Sequence, residues 1–177
     1  GIVAAKEAME EGHEVVVYEQ ASCLGGVWNS GDSLSKRTTG RTFSSSSRHN
    51  SFFGDFPMNP SREDNALSQT YPSHYSEADY REYLFQYTEH FDLVKLFKFN
   101  TSVDSTERTE DGKWQVKVRH QDGTVETNIH DFVIVPTGLN HQSHALKLSQ
   151  TSQSNKLSMG HSATNRDKED YRDRKVV

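Results

Sequence analysis

A short apolar run, Val15 to Tyr18, is the feature that most constrains the fold of this 177-residue chain. Such runs between polar residues are typical of strands buried on both faces of a parallel sheet. A helical pattern over residues 1–11 precedes the run, and Gly12 predicts where that helix ends. The polar face of the predicted helix comprises Lys6, Glu7, Glu10 and Glu11. Helix, tight turn and buried strand make half of a β-α-β unit, so we predict an α/β fold.

Gly1 and Glu19 flank that half unit and suggest a nucleotide site. Dinucleotide folds place a Gly-x-Gly-x-x-Gly turn before the first helix, and an acid about 20 residues later binds the ribose hydroxyls. Gly1 is therefore a candidate for the third glycine and Glu19 for the ribose-binding acid. One glycine is a weak signal, so an ordinary amphipathic helix with a surface glutamate remains an alternative at this point.

Paired glycines, Gly25 and Gly26, follow Glu19 after a short spacer. Adjacent glycines let the backbone approach a bulky cofactor closely, although the pair alone is equally typical of a plain loop. The whole string from Glu19 to Asn29 is more specific, because it joins an acid, a spacer and a Gly-Gly-x-Trp element. This string resembles the FAD-binding stretch of the flavin-containing monooxygenase family.

The resemblance extends along most of the chain. Phe53–Pro57 is similar to an aromatic-x-Asp-Phe-Pro element near the flavin, and Phe132–Gly138 to a returning strand with its Thr-Gly turn. His161-Ser162 and Arg174–Val177 resemble the stretch that precedes the family's NADPH-binding motif. The cofactor-binding residues that the resemblance implies are Gly1, Glu19, Gln20, Leu24, Gly25, Gly26, Trp28, Ser45, Asp55, Thr137 and Gly138.

The resemblance also implies an activity and a domain organisation. The implied reaction is FAD- and NADPH-dependent monooxygenation, in which a flavin hydroperoxide transfers one oxygen of dioxygen to a nitrogen or sulfur centre of a small-molecule substrate. Residues 1–177 correspond to a partial Rossmann-like FAD-binding domain with a parallel sheet and a small antiparallel β insertion. We expect the first strand and the start of the Gly-rich loop to lie upstream and the NADPH-binding domain to follow residue 177. The chain alone is therefore expected to be inactive, and no catalytic acid or base is assigned.

Several positions depart from the family's pattern. Asn155 and Leu157 stand where a Phe and a Gly precede the family's His, and Asn165 replaces an aromatic residue after it. These departures leave open a non-catalytic remnant of a flavin-fold protein. Another FAD-dependent oxidoreductase, such as an amine oxidase, is a second alternative because it shares the acid and the Gly-Gly element, although the Phe53–Pro57 and His161–Val177 matches argue against it.

Composition excludes other classes of function. The net charge of −5 disfavours a nucleic-acid partner, which usually binds a basic face. No apolar stretch approaches the roughly 20 residues that a membrane-spanning helix needs. The single cysteine, Cys23, excludes an intramolecular disulfide and argues against the disulfide-reductase branch of flavoproteins. Histidine spacing gives no metal site.

The second half of the chain carries clear local patterns. Ser76 with Asp79 nearly matches a capping box, which predicts a helix from there to Phe91. Alternation around Trp114 between two Asp-Gly turns predicts an antiparallel meander over residues 96–130. Phe132–Val135 predicts a second buried strand, residues 139–160 predict a loose segment, and Arg174–Val177 predict the start of another strand.

Overall fold

The computed structural model of the chain describes residues 1–29, 42–58, 73–139 and 171–175. Its helices and strands, in chain order, are α1 (Ile2–Glu10), β1 (Val17–Tyr18), α2 (Glu77–His90), β2 (Phe97–Lys98), β3 (Thr101–Arg108), β4 (Trp114–His120) and β5 (Val125–His130). β1 and β2 pair in parallel, whereas β3, β4 and β5 form an antiparallel sheet in that order. The predicted combination of helices, parallel pairing and a small antiparallel insertion is confirmed.

The parallel pair places Glu19 at the carboxyl end of β1. Val17 lies opposite Phe97 in the register, and beyond the strand the Glu19 amide donates to the Lys98 carbonyl at 3.0 Å. β1 itself is shorter than the predicted Val15–Tyr18 run and is half-buried, so the prediction of a strand buried on both faces was wrong. The reason is that, within the described residues, β1 has a hydrogen-bonded neighbour on one side alone.

The start of α2 follows directly from its sequence. The Ser76 hydroxyl accepts a hydrogen bond from the Asp79 amide at 3.1 Å, and the Asp79 carboxylate accepts one from the Ser76 amide at 2.8 Å. This reciprocal capping box satisfies two amides that the helix itself cannot bond, and it confirms the predicted helix start.

Aromatic side chains of α2 form the core against the turn over residues 53–56. Tyr83 and Tyr87 are buried, and the Tyr83 hydroxyl accepts from the Phe53 amide at 2.7 Å while donating to the Phe56 carbonyl at 2.8 Å. The other members of this core are Met58 and Tyr75, with Trp28, Phe52, Tyr80 and Leu84 packed against it. One tyrosine thus anchors the turn by both its ring and its hydroxyl.

The antiparallel meander forms where the alternation predicted it. Val116 and Val118 of β4 are buried on one face, while Lys117 between them is exposed. Positive φ angles at Gly112 (83°) and Gly123 (87°) fit the two predicted Asp-Gly turns, because glycine adopts this region without steric cost.

The segment after β5 differs from its prediction. Phe132, Ile134 and Val135 are largely exposed, Phe132 to 78%, and residues 132–138 form no strand. A buried strand needs hydrogen-bonded neighbours, and no described strand pairs with this segment. Arg174 and Lys175 lie in no strand, whereas Val176, Val177 and the predicted loose segment beyond Leu139 lie outside the described residues. In the described ranges, no helix has the length and apolar character needed to cross a membrane.

Candidate cofactor site

The amino end of α1 is the first component of the candidate site. Gly1 caps the helix, and its carbonyl accepts the first intrahelical hydrogen bond from the Ala5 amide at 2.9 Å. The first-turn amides have no intrahelical acceptors, so this end carries partial positive charge and exposed donors, which suit an anion. Burial lowers the pKa of the Gly1 amino group, while the negative charge of Glu19 raises it, so the Glu19 carboxylate lies within electrostatic range of this helix end.

Glu19 is oriented by its own loop. The Glu19 side chain is half-buried, and its Oε1 accepts a hydrogen bond from the Ala21 amide at 2.9 Å. The Thr101 amide also donates to the Glu19 carbonyl at 2.9 Å, which fixes the backbone next to the start of β3. One carboxylate oxygen thus orients the side chain, and the described hydrogen bonds leave Oε2 for a ligand.

The turn Pro136-Thr137-Gly138 approaches the same helix end. A Cβ built on Gly1 would lie 3.7 Å from Pro136 Cγ, which is an ordinary van der Waals contact. Thr137 and Gly138 are exposed beside this contact, and Gly138 has a φ of 77°. The structure therefore brings the predicted residues Gly1, Glu19 and the Thr-Gly turn into one neighbourhood, although Gly1 itself has room for a methyl group.

The Gly25–Gly26 turn is the second component. Gly25 has a φ of 121°, which favours glycine, and a Cβ there would lie 3.1 Å from Asn29 Cβ, which leaves little space for a side chain. Gly26 has a φ of 52° with open space around it. Leu24 just before the turn is buried and anchors it, whereas Gly25 is half-buried and Gly26 is exposed.

Trp28 fastens this turn to α2. Its ring centroid lies 4.8 Å from that of Tyr80 and 6.1 Å from that of Tyr75. Asn29, which is buried, donates from Nδ2 to the Cys23 sulfur at 2.7 Å and closes the loop from the other side. Sequence analysis missed Asn29, because a single polar residue after the Gly-Gly-x-Trp element carries no signal of its own.

Asp55 lies in an ion pair with α1. Its Oδ2 is 2.8 Å from Lys6 Nζ, and the Tyr87 hydroxyl donates to the same oxygen at 3.3 Å. The hydrogen bond from Lys6 is the main reason that the pKa of Asp55 is lowered. The polar face predicted for this helix includes Lys6, but the sequence did not indicate a partner for it. The Lys6 side chain is only 9% exposed, and Asp55 supplies its counter-charge from another segment.

Two of the predicted residues lie outside both components. Ser45 and Gln20 are exposed, and no described side-chain contact joins either of them to Gly1, Glu19 or the glycine turn. Among the described residues there is also no cluster of three groups that could hold a metal ion.

The two components fit a dinucleotide such as FAD. A helix amino end suits the pyrophosphate and a nearby oriented acid suits ribose hydroxyls, which is the arrangement that this class of ligand needs. The fit is strengthened by the Gly25 position, where a φ of 121° disfavours any side chain and a Cβ would lie 3.1 Å from Asn29 Cβ, so the backbone is left bare.

Comparisons with known proteins agree with this geometry. A model of the family described as "Flavin-binding monooxygenase-like" matches residues 1–177. The flavin-containing monooxygenase FMO GS-OX5 of Arabidopsis thaliana is 35% identical over 154 residues, which is 78% of this chain and 33% of that protein. The chain thus spans about a third of the length of this curated relative.

Two solved structures share the fold. The S-allyl-L-cysteine S-oxygenase from Allium sativum has a TM-score of 0.67 at 21% identity, over 77% of this chain and 34% of that one. OTEMO in complex with FAD and NADP has a TM-score of 0.59 at 20% identity, over 78% of this chain and 23% of that one.

Proposed function

The chain belongs to the flavin-binding monooxygenase-like family, and from that premise we propose that it forms the FAD-binding part of a longer FAD- and NADPH-dependent monooxygenase. The observation that carries the proposal is the position of Glu19 at the carboxyl end of the parallel strand β1, within electrostatic range of the amino end of α1. An acid and a helix end so arranged form the binding site for the ribose and pyrophosphate of a dinucleotide.

In this proposal each component contacts one part of FAD. The first-turn amides of α1 donate to the pyrophosphate, and Glu19 accepts from the adenosine ribose hydroxyls. The Gly25–Gly26 turn lets the cofactor approach the backbone closely, with Trp28 holding the turn in place. Thr137 and Gly138 follow Pro136, whose ring approaches the helix end, and in this proposal they contact the cofactor from that side.

The proposed reaction is oxygenation of a nitrogen or sulfur nucleophile in a small molecule. Bound FAD, once reduced by NADPH, supplies the activation of dioxygen, and this chain's residues bind and orient it. The name of the Allium relative, an S-oxygenase of S-allyl-L-cysteine, supports a thioether as one substrate class. The OTEMO complex with FAD and NADP supports the same pair of cofactors.

The test uses the full-length protein that carries this chain. We expect it to purify with about one FAD per chain, and to oxidise NADPH faster when a thioether or a tertiary amine is added. Oxygen consumption with amines but without NADPH would favour an amine oxidase. A protein that binds neither FAD nor NADPH would be the non-catalytic remnant and would contradict the proposal.

A further inference from the structure

Lys6 on α1 is a nearly buried charged residue that has no role in the proposed cofactor site. Lys6 Nζ lies 2.8 Å from a carboxylate oxygen of Asp55, 2.8 Å from one of Glu10 and 3.0 Å from one of Glu7. Glu7 and Glu10 belong to the same helix and are largely exposed, so their contacts do not connect α1 to anything else. The Asp55 contact does, because Asp55 belongs to the 53–56 turn.

Asp55 also contacts α2. The Tyr87 hydroxyl donates to Asp55 at 3.3 Å, and Tyr87 itself is fully buried. The Tyr87 ring packs edge-on against Phe53 and Phe56, with centroid separations of 4.8 Å and 5.8 Å. Lys6, Asp55 and Tyr87 therefore form a polar chain from α1 through the 53–56 turn into α2.

The low exposure of Lys6 makes the Lys6–Asp55–Tyr87 network sensitive to the loss of any one of its members. Its ammonium lies 5.2 Å from the ring centroid of Phe91, and the Lys6 side chain is only 9% exposed. A covered charge is costly without a partner, and removing one partner leaves the other uncompensated. The hydrogen bond from Lys6 to Asp55 is the main cause of the raised pKa of Lys6, so both groups stay charged at neutral pH.

Helix α2 also carries the other component of the site. Trp28 rests on Tyr80, one α2 residue, and the Gly25–Gly26 turn lies directly before Trp28. The stem of Arg81 approaches the same turn, since its Cγ would lie 3.7 Å from a Cβ on Gly25. Helix α2 therefore contacts both components of the site. It reaches α1 through Asp55 and Lys6, and it reaches the glycine turn through Trp28.

We propose that Lys6, Asp55 and Tyr87 are positioning residues that fix α1, and with it the anion-binding helix end, relative to the Gly25–Gly26 turn. The consequence for FAD affinity rests on the proposed function. In this arrangement Asp55 acts through Lys6 instead of touching the flavin, which gives it a different role from the one implied by the sequence resemblance.

The experiment compares Lys6→Met, Asp55→Asn and the double variant in the full-length protein. Hydrogen–deuterium exchange of the α1 amides reports on the helix without any cofactor, and titration of apo-protein with FAD reports on binding. Each single variant should speed α1 exchange and raise the FAD Kd about tenfold, which corresponds to about 1.4 kcal/mol. The double variant should be no worse than the poorer single one, because the two residues share one interaction.

Two further variants keep the result interpretable. Tyr87→Phe removes one hydroxyl and keeps the ring, so it should fold and show a smaller increase in α1 exchange. Lys113→Met is the matched control, because it removes a 3.0 Å ion pair with Asp131 on the antiparallel meander. That control should change neither α1 exchange nor FAD affinity.

The two readouts separate this inference from the proposed function. Faster α1 exchange in the variants, together with a wild-type protein that binds no FAD, would keep the network and reject the proposed function. Unchanged α1 exchange would overturn the network. A rise in exchange spread evenly over α1 and the meander would also overturn it, because that pattern indicates general destabilisation. If the wild-type protein binds FAD, unchanged FAD affinity in the variants would overturn it as well.

Discussion

Two regions of the molecule differ in the contacts that stabilise them. One is the region around α1 and α2, and the other is the antiparallel meander. In the meander, β3, β4 and β5 are neighbours in sequence and in space, and their turns are short Asp-Gly turns. In the other half, Lys6 pairs with Asp55, Trp28 packs on Tyr80 and β1 pairs with β2 across many intervening residues. The candidate site therefore depends on contacts between residues far apart in sequence, whereas the meander can form from local contacts.

The largest expected effect comes from filling the space at Gly25. Gly25→Ala introduces a Cβ at a φ of 121° and 3.1 Å from Asn29 Cβ, which should destabilise the protein by about 2–4 kcal/mol. FAD affinity should fall as well, because the turn must move. Thermal unfolding and FAD titration measure both effects. Gly54→Ala is the control, since its added methyl group meets open space; equal behaviour of the two variants would remove Gly25 from the site.

The two tryptophans provide the next comparison, one in each half. Trp28→Ala removes ring contacts with Tyr80 and Tyr75 and should cost about 2–3 kcal/mol together with a loss of FAD affinity. Trp114→Ala removes a half-buried ring that stacks with Arg108 on the meander. It should cost about 1 kcal/mol and leave FAD affinity unchanged. Loss of FAD binding in the Trp114 variant would show that the two halves are coupled.

Smaller effects should appear at alkaline pH. Burial raises the pKa of Tyr80 and of Tyr87 to about 12, from an ordinary value of 10.0. A raised pKa means that the stability due to the neutral phenol is complete below pH 10.0 and is lost as pH rises from there towards 12. In Tyr87→Phe, the slope of unfolding free energy against pH above 10 should flatten by up to about 1.4 kcal/mol per pH unit. An unchanged slope would contradict the burial of this phenol.

Local patterns predicted much of the fold, and the reason is physical. The Ser76–Asp79 capping box, the alternation around Trp114 and the Asp-Gly turns each depend on residues close in sequence, and all three formed as predicted. The position of Glu19 just after the parallel strand β1 also followed, because β-α-β connections have short, regular spacing.

What could not be predicted depends on distant partners. Nothing near Lys6 in the sequence indicates that Asp55 will cover it, and nothing near Asn29 indicates its hydrogen bond to Cys23. The apolar run Phe132–Val135 reads as a buried strand, yet it is exposed because no described strand pairs with it. Periodicity describes what a segment can bury, whereas its actual burial depends on which neighbours are present.

The central claim is that Glu19 binds the adenosine ribose of FAD, and FAD titration of Glu19 variants in the full-length protein tests it most directly. Glu19→Ala should weaken FAD binding by about 1.5–3 kcal/mol, roughly a tenfold to hundredfold rise in Kd. Turnover at saturating FAD should change little, because the contact is the same in the ground and transition states.

Two companion variants make that titration decisive. Glu19→Gln keeps an acceptor for the Ala21 amide and removes the charge, so it separates loop orientation from ribose binding. Glu14→Ala removes an exposed acid just before β1 and should leave the Kd unchanged. A Glu19→Ala protein that binds FAD as tightly as the wild type and the Glu14 control would contradict the account.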